Sequence, residues 1–506
     1  MRAFLAVALG LVTAICAFAV TAGIGGSMAA CSVVAVLALV GAGGAAWARP
    51  PIVLEEAAAT PALKALSGVA TALAIGQLAV LTVFMVSPDK VGYSTVPGSG
   101  WELRHSCLSA YFMAAEAAGR GQDFYDDSLY NSADDTGVGV RKAKTIGSFG
   151  IDVYEYPPPF LLLPRALGTL TTDFLHLRAL WFGLNVAFVV AAMLAVARRM
   201  GPAIGTRAVL LMPLTFAGMS MLNTLQKGNI QVVVIAMAVL AMSWFERQRF
   251  APAAALLAYS ILAKLYPGVL GVYLLAQKRW RAAAWTAAMG IVLLALTVAD
   301  IGPAPFARFV HFLPGVLSGE AFPAFRNPGA MGINLSIPGL AFKAKLFGVP
   351  GMGFGAAKVL GWIYTVILLW AVVRAARRPQ TEAEKPLVWL SIILLATLRS
   401  PFLPQTYGVV PAIWLVTLLA ATYMPSARTI VLVLVTLVAL NLHWPLDWGM
   451  DPRLRAVLYT VPQAITIGMA VLALRRRVAP IPATFQVRPA DGLVTPAMAG
   501  AATLTV

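Results

Sequence analysis

Apolar runs of about 15–25 residues recur along almost the whole chain, and few folds can keep that much hydrocarbon surface out of water. They lie near 3–24, 28–48, 63–86, 176–197, 205–222 and 229–246, then near 282–302, 353–373, 386–399, 406–423, 427–441 and 457–474. Hydrophobic residues make up 59% of the 506-residue chain and charged residues 12%, against about a quarter charged in a soluble domain. Lipid must cover most of this surface, so the expected fold is an all-α polytopic membrane protein of about 12 transmembrane helices. Met1-Arg2 and the first run read as an uncleaved first span, because the run is long and a second begins within a few residues. Cys16 and Cys31 lie inside apolar runs and Cys107 alone falls in a polar stretch, which leaves no disulfide framework and no CxxC metal site.

The net charge of +17 is distributed as short Lys/Arg clusters at the ends of the runs. That pattern orients helices in a membrane and does not resemble a groove that tracks phosphates, so no nucleic-acid partner is expected. Between the sixth and seventh runs, 251–277 is apolar but interrupted by Lys264-Leu265-Tyr266-Pro267, and proline breaks a helix. If this stretch is a re-entrant helical hairpin, every basic cluster from Arg2 to Arg475-Arg476-Arg477 falls in the cytoplasm. If it is a single kinked span, the later clusters land on the wrong face. The hairpin reading divides the chain into N-terminal transmembrane helices (1–86), an external loop with an amphipathic helix (87–175) and a transmembrane core (176–302). A second external loop (303–352), C-terminal transmembrane helices (353–477) and a disordered cytoplasmic tail (478–506) follow.

This topology gathers the polar chemistry outside. Most carboxylates and all four histidines (His105, His176, His311, His443) fall in or beside the external segments. Leu103–Gly119 carries Leu108, Tyr111, Phe112 and Ala115 at helical spacing and predicts a helix lying on the membrane interface. Asp123–Gly150 reads as polar loop, after which Tyr154–Leu163 returns to the membrane through Pro157-Pro158-Pro159. No internal repeat of the kind that builds transporters from inverted halves stands out.

Several short patterns then fall into order: Tyr111 with Ala114-Ala115, Gly121 to Asp126, Tyr156-Pro157-Pro158-Pro159-Phe160, and Gln226-Lys227-Gly228-Asn229-Ile230-Gln231. Lys264-Leu265-Tyr266-Pro267, Lys278-Arg279-Trp280-Arg281, Asn334-Leu335-Ser336-Ile337-Pro338-Gly339, and Arg399-Ser400-Pro401 with Tyr407 complete the series. In this order, over roughly 85–425, the chain resembles glycosyltransferase family 87, polytopic enzymes of the GT-C fold. The family includes polyprenyl-phosphate-mannose-dependent α-mannosyltransferases of cell-envelope lipids. The resemblance implies an inverting transfer of a sugar, mannose above all, from a polyprenyl-phosphate donor to an envelope glycolipid or glycan, at the outer face of the plasma membrane. Membrane lipids, the lipid-linked donor and the acceptor are the implied partners, and no cofactor is implied. The chain departs from the family at one point. An aspartate usually stands just before the tyrosine of the first external helix, whereas Arg104-His105-Ser106-Cys107 precedes Leu108 to Tyr111 here without one.

An inverting transfer needs a base for the acceptor hydroxyl. His105 is the first candidate, with Glu102 one helical turn away to orient it or to serve itself, or else the pair are interfacial anchors at a helix start. Asp126, with Asp123 and Asp127, either folds over the site or caps a turn; His443 with Asp447 is a further pair. For the donor phosphate, Lys264 stands between apolar half-helices, where it either binds an anion or snorkels to the interface. Arg399 and Tyr407 form a second clamp, and Lys227 precedes a helix start that can offer N–H groups. Tyr156, Asn229 and Gln231 are expected at the substrate pocket with Asn334 and Ser336, which either line it or cap a short helix. No metal constellation is expected, and Asp126-Asp127 with Asp134-Asp135 reads as solvated loop. A non-catalytic scaffold or a transporter is the competing function, and of charged residues at mid-membrane depth only Lys264 fits the latter.

Overall fold

The computed structural model describes residues 1–132, 142–442 and 449–478, which are mostly helical. His443, Asp447, the Asp134-Asp135 pair and the tail from 479 lie outside the described residues. The chain opens with α1 (Arg2–Gly23), α2 (Met28–Ala48) and α3 (Pro61–Val86). Three short helices, α4 (Gly100–Arg104), α5 (Leu108–Gly119) and α6 (Leu162–Gly168), lead to α7 (Phe174–Arg199). Then come α8 (Pro202–Leu211), α9 (Pro213–Phe216), α10 (Met219–Lys227), α11 (Gln231–Glu246), α12 (Phe250–Ala263), α13 (Gly268–Ala276) and α14 (Trp280–Ile301). The stretch expected as a second loop holds α15 (Ala304–Ser318), α16 (Pro328–Gly332) and α17 (Gly339–Leu346). Last are α18 (Phe354–Arg377), α19 (Glu384–Thr397), α20 (Gln405–Gly408), α21 (Val410–Ala421), α22 (Ala427–Leu440), α23 (Pro452–Leu458) and α24 (Thr460–Arg475).

Every apolar run of the sequence coincides with helix, but not every helix is long. Seven are long and apolar enough to cross a membrane: α1, α2, α3, α7, α14, α18 and the α23–α24 pair. The 205–222 run is broken: Pro213 opens α9, Gly218 precedes α10, and the two parts bend by 65°, giving an eighth span if counted as one. Helices such as α11, α21 and α22 have 12–16 residues, which at about 1.5 Å per residue is less than the roughly 30 Å hydrocarbon core. Length alone picks out seven or eight crossings among the described residues, and shorter helices such as α11, which runs from Gln231 at one end of the bundle to Glu246 at the other, add to that number. Residues 223–228, the gap between the fifth and sixth apolar runs, are the last part of α10 with its C-cap.

Packing divides the helices into a core and a lipid-facing shell. In α7, 67% of the most apolar window is buried, against 6% in α2 and 11% in α14, so α7 is the central post and the other two face lipid. α1 crosses α7 closely at Gly23, where an added Cβ would stand 2.4 Å from the backbone nitrogen of Leu180.

The two ends of the bundle differ in charge. At one end Glu246 is bound by Arg199, Arg279 and Lys385, with Glu382 joining the network. Nearby, Arg378 and Arg477 pair with Glu384. The Arg279–Glu246 pair brings the two ends of 250–276 together at this basic end. The break between α12 and α13 lies at the other end, where Tyr266 donates to the Gln231 carbonyl at 3.5 Å.

At that second end the loop around 105–151 forms a three-stranded sheet, which the polar composition did not suggest. β1 (His105–Ser106) pairs in parallel with β3 (Phe149–Ile151), and β2 (Thr145–Ile146) pairs antiparallel with β3. Leu103–Gly119 is therefore not one interfacial helix. It breaks at β1, and α5 then buries Leu108, Tyr111, Ala114 and Ala117 against the bundle. Tyr111 is fully buried, so this face packs into protein and not into headgroups.

Candidate active site

The sheet register builds the first half of the site. His105 is aligned with Gly150 and Ser106 with Ile151, which sets Asp152 just beyond the pairing. The Asp152 N–H donates to Ser109 Oγ at 3.0 Å, and that hydroxyl lies 2.6 Å from the Ser106 carbonyl. Asp152 Oδ1 then stands 3.2 Å from His105 Nδ1, while Trp101 stacks on the imidazole with centroids 4.5 Å apart. The other ring nitrogen, Nε2, lies 3.8 Å from Cys107 Sγ and 3.5 Å from the Tyr407 hydroxyl. Cys107 Sγ is also 3.4 Å from the Tyr407 hydroxyl and receives the Asn229 amide at 3.4 Å. Burial disfavours the charged imidazole, but the Asp152 carboxylate, aided by the Cys107 side chain, outweighs it and holds His105 up at about 10. The ring therefore keeps its proton at neutral pH, whereas the role of base for which the sequence puts it forward needs the neutral ring.

Glu102 and Lys227 form a separate unit. The Lys227 ammonium pairs with Glu102 at 2.8 Å, Asn223 Nδ2 donates to the same carboxylate at 2.7 Å, and Gln226 Nε2 donates to the Glu102 carbonyl at 2.9 Å. Burial pushes the Glu102 carboxyl up, but Lys227, then Asn223 and His105, pull it below its usual value. Lys227 reaches both oxygens of this carboxylate, which leaves neither free for an acceptor hydroxyl, and the cation is already neutralised. Gly228 closes α10 in the left-handed conformation (φ 69°), its carbonyl accepting from Trp181 Nε1 at 3.0 Å, and Asn229 Oδ1 then caps the Gln231 N–H at 2.9 Å.

An aromatic wall forms the other side. The hydroxyls of Tyr111 and Tyr156 are 2.8 Å apart, the Tyr156 ring stacks on Phe160, and Tyr125 donates to the Tyr156 carbonyl at 2.7 Å. The Lys264 ammonium, released from α12 by the break before Pro267, sits 5.0 Å over the Tyr156 ring. Among the described residues it has no carboxylate within ion-pair distance. Next to Tyr156, burial pushes the Glu155 carboxyl up to about 8, with Asp152 adding to the rise and Lys264 opposing it. Gln231 Nε2 is buried nearby with no partner among the described residues.

Other expected residues are not brought to this cluster. Asp126 caps a short helical turn by accepting the Ser128 N–H at 2.9 Å, the structural role of a turn aspartate. Arg399 donates through Nε to Thr365 at 2.7 Å and lies over Trp362, which holds it against α18. Asn334 and Ser336 are fully buried and both donate to the Pro401 carbonyl, at 3.0 and 2.8 Å, bracing the segment that leads to Tyr407. They hold the site from behind and do not line it. Sequence reasoning missed Asp152 and Glu155. The only signal was the short Ile151-Asp152-Val153-Tyr154-Glu155-Tyr156 stretch, whose alternation is too brief to read as strand.

No curated protein and no solved structure matches the chain. Residues 154–401 match the model of glycosyltransferase family 87. Tyr156, Lys227, Asn229, Gln231, Lys264 and Arg399 lie inside that region, whereas His105, Cys107 and Asp152 precede it. Over this region, just under half of its length, the chain is similar to glycosyltransferase family 87, and its long apolar helices mark it as an integral membrane protein.

Proposed function

We propose that the chain transfers a sugar, mannose in our reading, from a polyprenyl-phosphate donor to a hydroxyl of an envelope glycolipid or glycan. The transfer inverts the anomeric centre and takes place at the outer face of the plasma membrane. The sidedness rests on the basic end, where Arg199, Arg279, Lys385 and Arg378 collect, since basic clusters favour the cytoplasm. On that assignment 250–276 is a re-entrant hairpin that carries Lys264 toward the outer face.

The observation that carries the reading is the carboxylate–imidazole pair Asp152–His105 in one electrostatic cluster with Glu155 and the unpaired Lys264. Asp152 Oδ1 is engaged by His105 Nδ1, which leaves its second oxygen for an acceptor hydroxyl. In the transfer, that oxygen takes the hydroxyl proton as the acceptor oxygen bonds to the anomeric carbon from the face opposite the phosphate. The carbon–oxygen bond to phosphate breaks and its electron pair stays on the phosphate. Lys264 sits where an ammonium can meet the negative charge growing on that group, and Tyr156 beneath it offers a ring face to the sugar. Glu102–Lys227 orders the segment that leads to His105. The missing family aspartate is thus replaced by a carboxylate 41 residues past Tyr111 in the chain, brought back by the β1–β3 register.

The test is transfer of radiolabelled sugar from polyprenyl-phosphate-mannose by purified protein reconstituted with membrane-lipid acceptors. Wild type is expected to turn over and Asp152→Asn to lose about 10²–10⁴ of the rate, the usual range for removing a general base. Folded wild type that transfers from none of several polyprenyl donors rules the function out. An Asp152→Asn variant with the wild-type rate rules out the base.

A further inference from the structure

The distances around His105 Nε2 are poor as hydrogen bonds and good as something else. His105 Nε2, Cys107 Sγ and the Tyr407 hydroxyl form a triangle with edges of 3.8 Å (N to S), 3.4 Å (S to O) and 3.5 Å (N to O). A hydrogen bond between a hydroxyl and a ring nitrogen ordinarily closes to about 2.8 Å. A tetrahedral zinc-class ion, with bonds of about 2.3 Å to sulfur and about 2.0–2.1 Å to nitrogen and oxygen, holds its donors about 3.6, 3.5 and 3.3 Å apart. The observed edges agree with that face to about 0.2 Å.

Three further features fit. Asp152 Oδ1 lies 3.2 Å from Nδ1, the ring nitrogen that the triangle does not use, close enough to orient a metal-binding histidine and fix its tautomer. The donor atoms of His105, Cys107 and Asp152 all fall within 4.8 Å of one another. The Asn229 amide donates to the sulfur, as outer partners of a metal-bound thiolate do. The donors come from β1, the start of α5 and α20, so the set is held by strand pairing and helix packing and is half built before any ion arrives. Thiolate with imidazole selects zinc or a similar borderline metal over magnesium or calcium, which want oxygen.

We propose that His105, Cys107 and Tyr407 ligate one divalent metal of the zinc class, which displaces the protons of His105 Nε2 and Cys107 Sγ as it binds, with Asp152 buttressing His105 and the fourth position open. An open position is the mark of a working site and not of a structural one. This rests on the transferase reading for its purpose. The open position takes the acceptor oxygen and weakens its O–H bond, the proton passes to the free oxygen of Asp152, and the sugar transfer proceeds as described above. The metal changes no oxidation state.

Binding of cobalt(II) tests it. Protein prepared without a polyhistidine tag and stripped with a chelator is titrated with cobalt(II) alone. Stoichiometric uptake is expected, with the strong visible bands of a four-coordinate ion and a thiolate-to-cobalt charge-transfer band that zinc(II) removes by competition. Cys107→Ser and His105→Ala lose the charge-transfer band, while Cys16→Ala and Cys31→Ala keep it. Cys107→Ser is checked for an unchanged thermal transition and elution volume, and His105→Ala is read only if it passes the same check. Absence of the charge-transfer band in wild type overturns the site, as does a band that survives Cys107→Ser. Because the readout is binding, sugar transfer by a protein that takes up no cobalt sinks this proposal alone. Cobalt uptake by a protein that transfers no sugar sinks only the transferase reading.

Discussion

Glu155 stands in an environment that disfavours its charged form. It stands beside Tyr156, and burial with Asp152 nearby pushes its carboxyl up to about 8 even though Lys264 pulls the other way. The folded protein therefore holds a proton that the unfolded chain releases above a pKa of 4.5. Stability from this group is fully present below about 4.5 and is lost as pH rises to about 8. In wild type the melting temperature is expected to fall across that window, with Glu155→Gln, which keeps the shape and removes the charge, showing a flatter profile and melting above wild type at pH 8 and beyond. Thermal unfolding in detergent at stepped pH reads it. Parallel profiles for the two proteins would show that Glu155 ionises freely. The same residue shows why the cluster was hard to see from sequence. Nothing in Tyr154-Glu155-Tyr156 marks a buried acid, because the cation that faces it, Lys264, comes from a helix break more than a hundred residues later.

At the scale of elements, the turn from α10 to α11 fixes Lys227 and Asn229, and it depends on one glycine. Gly228 has φ 69°, and a Cβ there would meet Leu108 Cβ at 3.1 Å and the Trp181 ring at 3.4 Å. Gly228→Ala is expected to cost about 1–2 kcal/mol through the left-handed conformation and crowding together. It should also slow transfer by moving Asn229 away from Cys107. Gly76→Ala, in the middle of α3 with nothing within 4 Å of the new methyl, is the control and should be neutral or slightly stabilising. Equal denaturation midpoints for the two variants would contradict the wedge. Helix positions were legible because hydropathy is a local property, and so was the break at Lys264–Pro267, since proline acts on its own turn. The bend at Pro213–Gly218 was not, because it lies inside an apolar run that reads as one span. Nor was the Asp152–His105 pair, which two strands of two and three residues bring together from 47 positions apart. Asn334 and Ser336 were recognisable as capping residues, but their target, the Pro401 carbonyl, exists only in the folded chain.

At the scale of the molecule, the two ends do different work, and the ion network at the basic end decides how the middle is threaded. Glu246 closes α11 and Arg279 precedes α14, so their pairing requires that α12 and α13 leave and return on one side. Arg199 and Lys385 share the same carboxylate, tying α7 and the start of α19 to that side as well. At the far end Arg165 holds Asp300, near the end of α14, at 2.5–2.8 Å, so α14 runs from the basic end to the site end. Odd and even crossings then sort themselves: Lys278 belongs with the arginines, and the exposed Arg308 on α15, paired with Asp123, belongs with the site. Single cysteines at these two positions separate the faces. Arg308→Cys should react with a membrane-impermeant maleimide on intact cells, whereas Lys278→Cys should react only once the inner face is opened. The three native cysteines are buried and give the background. Labelling of Lys278→Cys from outside would turn 250–276 into a single crossing. It would also place the later basic clusters outside and leave the proposed outer-face site without its orientation.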